Sequence, residues 1–286
     1  MADTAFQRKY RAETVAGFEK RQSLMRKTVL TEVEVNGNEA IFLVADSGSA
    51  TAVTRGVNGD IPTRPDNLNQ FTATLKEWHD VPERTNFNIY ASQGEGRRIM
   101  QKTCQNVINR KIDNDIRDEL ANATVTLTMT QTSTATFLAD LLDLVVTLSE
   151  ADAIDAGNED EQEPYAIITP AFRANMMTLP NFTSMDFINL KPFAGVMKSR
   201  AFNWMGVNWI VNTDLAGIGT ATSTCYIYSK NAVGHACDYK NIHTEIGYDR
   251  KNDKSWARCS VYMGSKILQN SGIVKITHDD TAVIGA

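Results

Sequence analysis

The apolar positions of the chain change period several times, and each change marks an element. The most regular run is Met100, Cys104, Val107, Ile108, Ile112, Ile116 and Leu120, which recur at three- and four-residue steps, the repeat of one helical face. Arg98, Lys102, Arg110, Asp113 and Arg117 fall on the opposite face, where Asp113 and Arg117 are spaced as a favourable four-apart pair. Gly94 precedes the run and no proline interrupts it. About 27 residues at about 1.5 Å each predict a strut roughly 40 Å long. A second helix is predicted from about Ser133 to Leu148. There Phe137, Leu138, Leu141, Leu142, Leu144, Val145 and Leu148 nearly fill the sequence, so the helix is expected to be buried.

Elsewhere the period is two. Val33 and Val35 alternate with Glu32 and Glu34, Asn36-Gly37 follows as a tight-turn signal, and Ala40 to Val44 supplies a second strand. From Asp46 to Gln70, Gly48, Gly56, Asn58-Gly59, Pro62 and Pro65 break any regular element. Phe71, Ala73 and Leu75 then alternate with Thr72 and Thr74. The stretch 31–81 therefore predicts a long two-sided β-arm with a flexible tip, too poor in apolar residues to be a core.

Beyond the second helix, Tyr165 to Thr169 reads as a buried strand, and Pro170 opens a short helix through Met177. Trp204 and Trp209 flank Gly206 in a strand pair packed in the core. Trp209 to Asn212 and Cys225 to Tyr228 read as core strands, and Asn231 to Cys237 as a helical turn. Ile242 to Tyr248 and Trp256 to Met263 form a hairpin around a polar tip, and Ile273 to Thr277 is a last strand.

With 286 residues, 42% hydrophobic and 22% charged, the chain is ordinary for a globular protein that can bury a core. A net charge of -5 argues against a general nucleic-acid binder. The first thirty residues depart from this balance. Arg8, Lys9, Arg11, Lys20, Arg21, Arg26 and Lys27 face only Asp3, Glu13 and Glu19, and Val15, Phe18 and Leu24 make a weak helical stripe. Such an arm is expected to lie on something else. Met1 to Tyr10 has no apolar run, so no secretory signal is expected. Phe137 to Leu148 is short and carries Asp140 and Asp143, so no membrane span is expected. The four cysteines lack any C-x-x-C and read as reduced thiols. Between Glu150 and Glu163 lie seven acids and no base, which read as a solvated loop.

Catalytic patterns do not emerge: there is no P-loop, G-x-S-x-G, H-E-x-x-H or dinucleotide fingerprint. The best metal candidate, His235 and Cys237 with His243 and Cys259, matches no zinc spacing, and the four read as buried thiols and scattered polar histidines. No catalytic, cofactor or metal site is therefore expected.

The order of elements, and above all the stretch FTATLKEWHDVPERTNFNI running into QGEGRRIMQKTCQNVINRKIDNDI, resembles the α+β, Hong Kong 97-like fold of tailed-phage major capsid proteins. The resemblance implies an N-terminal arm (1–30) and an extended β-loop (31–85). It implies a peripheral domain with the spine helix (86–122 and 242–263) and an axial domain (123–241 and 264–286). It also implies a virion protein, assembled in the bacterial host cytoplasm, that builds the icosahedral head through pentamers and hexamers. Its partners would be further copies of itself, a separate scaffolding protein, a portal protein, packaged double-stranded DNA held non-specifically and, optionally, a decoration protein, with no membrane. Inter-subunit contacts would fall on Arg55 and Arg64 in the loop and on Asp249, Arg250, Lys251, Asn252, Asp253 and Lys254 at the hairpin tip. The lysine that self-cross-linking relatives use has no counterpart between Asp46 and Gln70. Three other readings remain at this point: an encapsulin-like nanocompartment shell, a minor capsid or tail component, and an enzyme with an unrecognised site.

Overall fold

The computed structural model describes residues 23–32, 35, 37–47, 50–55, 59, 61–64, 67–91, 96–154, 163–180, 201–238 and 243–282. Two six-stranded sheets and a two-stranded ribbon carry the chain. In order, the elements are β1 (Leu30–Glu32), β2 (Glu39–Ala45), β3 (Leu68–Thr74), β4 (Lys76–Asp80), β5 (Glu83–Thr85), α1 (Asn86–Ala91), α2 (Gly96–Leu120), β6 (Thr126–Thr128), α3 (Thr134–Glu150), β7 (Pro164–Ile168) and α4 (Pro170–Met177). They continue with β8 (Ala201–Trp204), β9 (Val207–Val211), β10 (Ser223–Ser229), β11 (Val233–Cys237), β12 (His243–Asp249), β13 (Lys254–Ile267) and β14 (Ile273–His278).

The first sheet is organised by β13, a strand of 14 residues, roughly 46 Å long at about 3.3 Å per residue. Ser260 pairs with both His79 and His243, and Met263 with both Lys76 and Cys237, so β5 and β4 run along one edge and β12 and then β11 along the other. Alternate residues Ala257, Cys259, Val261 and Met263 are buried, and α2 covers that face. The helix and strand keep a common register. Cys104 donates its thiol hydrogen to the carbonyl of Asp80, the strand partner of Cys259. Lys111 Nζ sits 3.8 Å from the ring centre of Trp78, the partner of Val261. Ser265 donates to Asp115, and the Ile267 amide to Glu119. Fifteen helical residues advance about 22 Å and eight strand residues about 26 Å, so the two elements lie along each other.

Of the apolar stripe read from sequence, Met100, Cys104, Ile108, Ile112, Ile116 and Leu120 are buried and Val107 is half-buried. Asp113 is a correction. It is buried rather than on the solvent face, and its carboxylate accepts hydrogen bonds from the Ser23 hydroxyl and the amides of Leu24 and Met25. Arg117 pairs with Asp118 and donates to the Asp214 carbonyl instead of reaching Asp113. Segment 23–29 is thus pinned to its own subunit, with Met25 and Val29 in the core; Val15 and Phe18 lie outside the described residues.

The second sheet runs β6-β14-β10-β7-β9-β8. Ser133 and Thr136 cap α3 reciprocally, and Thr169 caps α4 through the Phe172 amide with Pro170 in the first turn. Phe172 stacks 6.2 Å from Trp209 and lies 5.4 Å from Phe137, which joins both helices to the sheet. Helix α3 is buried only along Phe137, Leu141, Leu144 and Leu148; Leu142 and Val146 are exposed, contrary to the expectation of full burial. After β14, Asp280 accepts from Thr169, Ser223 and the Gly219 amide and faces His278 Nδ1 at 2.8 Å, fastening the chain end to three other segments.

Two further expectations change. The chain from Asn231 to Cys237 is a single 3-10 turn (Lys230–Ala232) followed by a strand. Every residue of β11 is buried, so no alternation betrays it. Strand β2 pairs with β3, and β1 joins β11 in parallel; Val33, Glu34 and Asn36, which the sequence pattern places in a hairpin with β2, lie outside the described residues. The ribbon is thus 39–74. Boundaries at 85, 241 and 263 cut through the first sheet, because β4, β5, β11 and all of β13 belong to it. Gly264 is required there: a Cβ would stand 2.2 Å from the Thr74 carbonyl oxygen where the ribbon joins the sheet.

Ile112→Asp should cost roughly 3–5 kcal/mol by placing an unpaired charge between α2 and the sheet, whereas Arg110→Ala should lie within about 1 kcal/mol of wild type. Chemical denaturation of the two variants checks the face assignment, and equal losses would refute it.

Candidate assembly surfaces

The hairpin between β12 and β13 has an internally bonded tip. The Asp249 carboxylate accepts from the Lys251 amide (2.9 Å) and the Asn252 side chain (2.6 Å). Those bonds, the Asn252 side chain first, hold its carboxyl below the ordinary range. Asp253, at φ +50°, accepts from the Tyr248 hydroxyl and the Asn86 side chain, and Lys254 pairs with Glu83 at 3.2 Å. The tip therefore has a fixed shape. Arg250 and Lys251 project from it exposed, with no side-chain partner among the described residues.

The ribbon has two unlike faces because its residues alternate. Ala40, Phe42 and Ala73 point inward and pack with Ala236 and Leu268. The Phe42 ring lies over Gly234, where a Cβ would come within 2.9 Å of it. Ile41 and Leu43 point outward and are 56% and 62% exposed, and Leu68 lies exposed at the far end of the ribbon. Val53 and Ile61, in the segment joining β2 to β3, are exposed too. Arg64 donates to the Ser47 carbonyl, which bends that segment back on itself. Arg55 is exposed and makes no side-chain bond among the described residues.

The eight residues expected at contacts therefore divide. Arg55, Arg250 and Lys251 are available cations. Arg64, Asp249, Asn252, Asp253 and Lys254 are engaged within the subunit. The loop that carries Arg55 and Arg64 and the tip that carries the other six have separate roots: the ribbon joins the sheet beside Gly264 and the tip lies at Lys254, about 33 Å of strand apart. A third surface escaped the sequence reading. Helix α1 exposes Phe87 and Tyr90, at 73% and 81%. Their three-residue spacing is that of one helical face, a signal the alternating pattern around them hides.

No group of three or more metal-ligating side chains converges among the described residues. His235 is fully buried, with Nδ1 2.9 Å from the Ser265 hydroxyl and 3.9 Å from Asp115. Desolvation first, and then the charge of Arg26, push its pKa down to about 4. Burial raises the Asp115 carboxyl. The imidazole is thus neutral at pH 7, and its contact with Asp115 is no ion pair. No helix among the described residues is long and apolar enough to cross a membrane.

A long strand carrying a helix along its length, an outlying ribbon at one end and a hairpin tip at the other define the Hong Kong 97-like capsid fold. Residues 2–280 match the family described as phage capsid protein. The chain belongs to that family, and it is a major capsid protein that forms the phage head. Among solved structures, it is similar to that of Mycobacterium phage Che8, with 13% identity, a TM-score of 0.75 and coverage of 96% of this chain and 98% of the other. It is also similar to the capsid of a native GTA particle, with 10% identity, TM-score 0.71 and 96% of each chain. A third is the capsid of Cyanophage P-SCSP1u, with 13% identity, TM-score 0.69 and coverage of 96% and 93%. No curated protein sequence matches.

The buried histidine fixes a pH dependence. Because the folded pKa of His235 lies below the unfolded value near 6.5, its contribution is whole above pH 6.5 and is lost as pH falls toward 4, at about 1.4 kcal/mol per unit. His278, also lowered, mainly by desolvation, acts in the same direction. His235→Asn should flatten the fall of the melting temperature between pH 6.5 and 4; an unchanged slope would contradict the assignment.

Proposed function

We propose that the subunit closes the head as pentamers and hexamers, with the outer face of the ribbon, the loop joining its strands and helix α1 packed on neighbouring copies. One observation carries this reading: Ile41, Leu43, Val53, Ile61, Phe87 and Tyr90, all on these three elements, are exposed, five of them by more than 60%. Apolar surface of that extent is characteristic of an interface. Interlocking heterologous contacts that return on themselves close a shell. Arg55, Arg250 and Lys251 would meet acids across these boundaries, each exposed pair worth about 0–1 kcal/mol and weakened by salt.

The chain acts as structure and does no catalysis in this reading, in keeping with the lack of a catalytic motif and with polar clusters that serve packing, such as Asp280 with Thr169 and Ser223. Assembly takes place in the host cytoplasm on a separate scaffolding protein, with a portal protein at one vertex and a decoration protein as an optional addition. Packaged duplex DNA is held non-specifically; Arg26, Lys27 and Lys230, which share one groove, are the cations that charge recommends for that contact. Subunits are joined without covalent links, since residues 46–70 contain no lysine.

Leu43→Glu should leave subunit stability within about 0.5 kcal/mol of wild type, as an exposed position requires, yet abolish shells in sedimentation and negative-stain images. Shells of normal yield and size would overturn the reading.

A further inference from the structure

Two of the four cysteines face each other across the α2–β13 contact. Cys104 and Cys259 are both buried in the main core. The Cys104 thiol lies 3.1 Å from the Asp80 carbonyl oxygen, and Asp80 is directly paired with Cys259. Cys259 belongs to the alternating set that faces the helix, with Ala257, Val261 and Met263. The Cys104 thiol therefore sits against the β4 residue that stands directly beside Cys259, on the face of β13 that the helix covers. Later contacts along the helix, Lys111 on Trp78 and Asp115 on Ser265, keep the same register and fix the pair in place. The other thiols are elsewhere: Cys225 is on β10 in the second sheet, and Cys237 lies opposite Met263, four residues along β13 from Cys259.

We propose that Cys104 and Cys259 are a latent disulfide within the subunit, which fastens α2 to β13 when the protein meets an oxidant. Hydrogen peroxide is small enough to serve. One sulfur, as thiolate, attacks the peroxide: an S–O bond forms, the O–O bond breaks, and the departing hydroxide takes up the displaced thiol proton as water. The second sulfur attacks the resulting sulfenic sulfur: the S–S bond forms, the S–O bond breaks, and a second water leaves with the remaining thiol proton. Two thiols and one peroxide become one disulfide and two waters, and the sulfurs lose the two electrons that the oxygens gain.

Burial raises the Cys104 thiol, with Cys259 and Asp80 adding to the effect, so little thiolate is present and the step is slow. The pair would stay reduced in a reducing compartment and close when local opening admits the oxidant. The link ties two distant points of one chain and so stabilises the subunit by restricting its unfolded state. It joins no two subunits, so it is compatible with a shell held by non-covalent contacts, and its chemistry does not depend on the shell reading.

The test uses the full-length protein, assembled or not. Samples are held with millimolar peroxide for a day at a temperature below melting, then unfolded in iodoacetamide and weighed intact. Untreated chains should take up four labels and treated chains two, with one peptide pair, Cys104 linked to Cys259, that dithiothreitol separates. The treated protein should melt several degrees higher, and dithiothreitol should reverse the shift. Cys259→Ala should keep three labels after the same treatment; the wild-type masses decide the matter if that variant does not fold. Four labels after treatment, a link to Cys225 or Cys237, or oxygen added to Cys104 or Cys259 without a link would each overturn the proposal.

Discussion

Helix α2 lies along β13, and the remaining structure is arranged around that contact. The strand brings β4, β5, β11 and β12 to its two edges, and the helix shields the apolar face they create. Asp113 then reaches out on the flank of the helix and holds the amides of Leu24 and Met25, so the same contact also anchors the start of the described chain. Burial of Ile108, Ile112, Ile116 and Leu120 supplies the driving force, at about 25 cal/mol per Å² of apolar surface removed from water. Four polar or thiol contacts between helix and sheet set the register.

A rigid centre of this kind lets the periphery be specialised for contact. The ribbon closes only its inner face, on Ala236 and Leu268, and leaves Ile41 and Leu43 outward. The hairpin tip is shaped by its own carboxylates, which leaves Arg250 and Lys251 projecting from a fixed loop. Ribbon and tip root at opposite ends of one strand, so in the proposed assembly the two kinds of surface would meet different neighbours, the geometry that heterologous closure requires.

Much of this was legible from residue order. The spine helix, the hairpin from β12 to β13, the capped helix after Thr169 and the strand pair that carries Trp204 and Trp209 all follow from local period and turn chemistry. What failed did so for identifiable reasons. Asp113 looks solvent-facing because periodicity knows nothing of the segment that later covers it. Val233 to Cys237 lacks alternation because both faces are buried. The partner of β2 lies beyond a loop of some twenty residues, and a nearer valine pair offers a competing register. Of the expected contact residues, Arg55, Arg250 and Lys251 are accessible, while the carboxylates and Arg64 are engaged in shaping their own loops; a charge in the sequence does not reveal which use it has. Phe87 and Tyr90 were missed because two aromatics in six residues look like ordinary core until their exposure is known.

The central claim is that the α2–β13 centre is complete in the subunit whereas the ribbon and α1 find their partners only in the shell. Hydrogen–deuterium exchange on free subunits and on assembled particles tests it directly. Amides of β2, of residues 50–55 and 61–64 and of α1 should exchange markedly more slowly in particles, while those of α2 and β13 should be equally protected in both. A ribbon and α1 that exchange alike in the two states, or a centre protected only after assembly, would contradict the account.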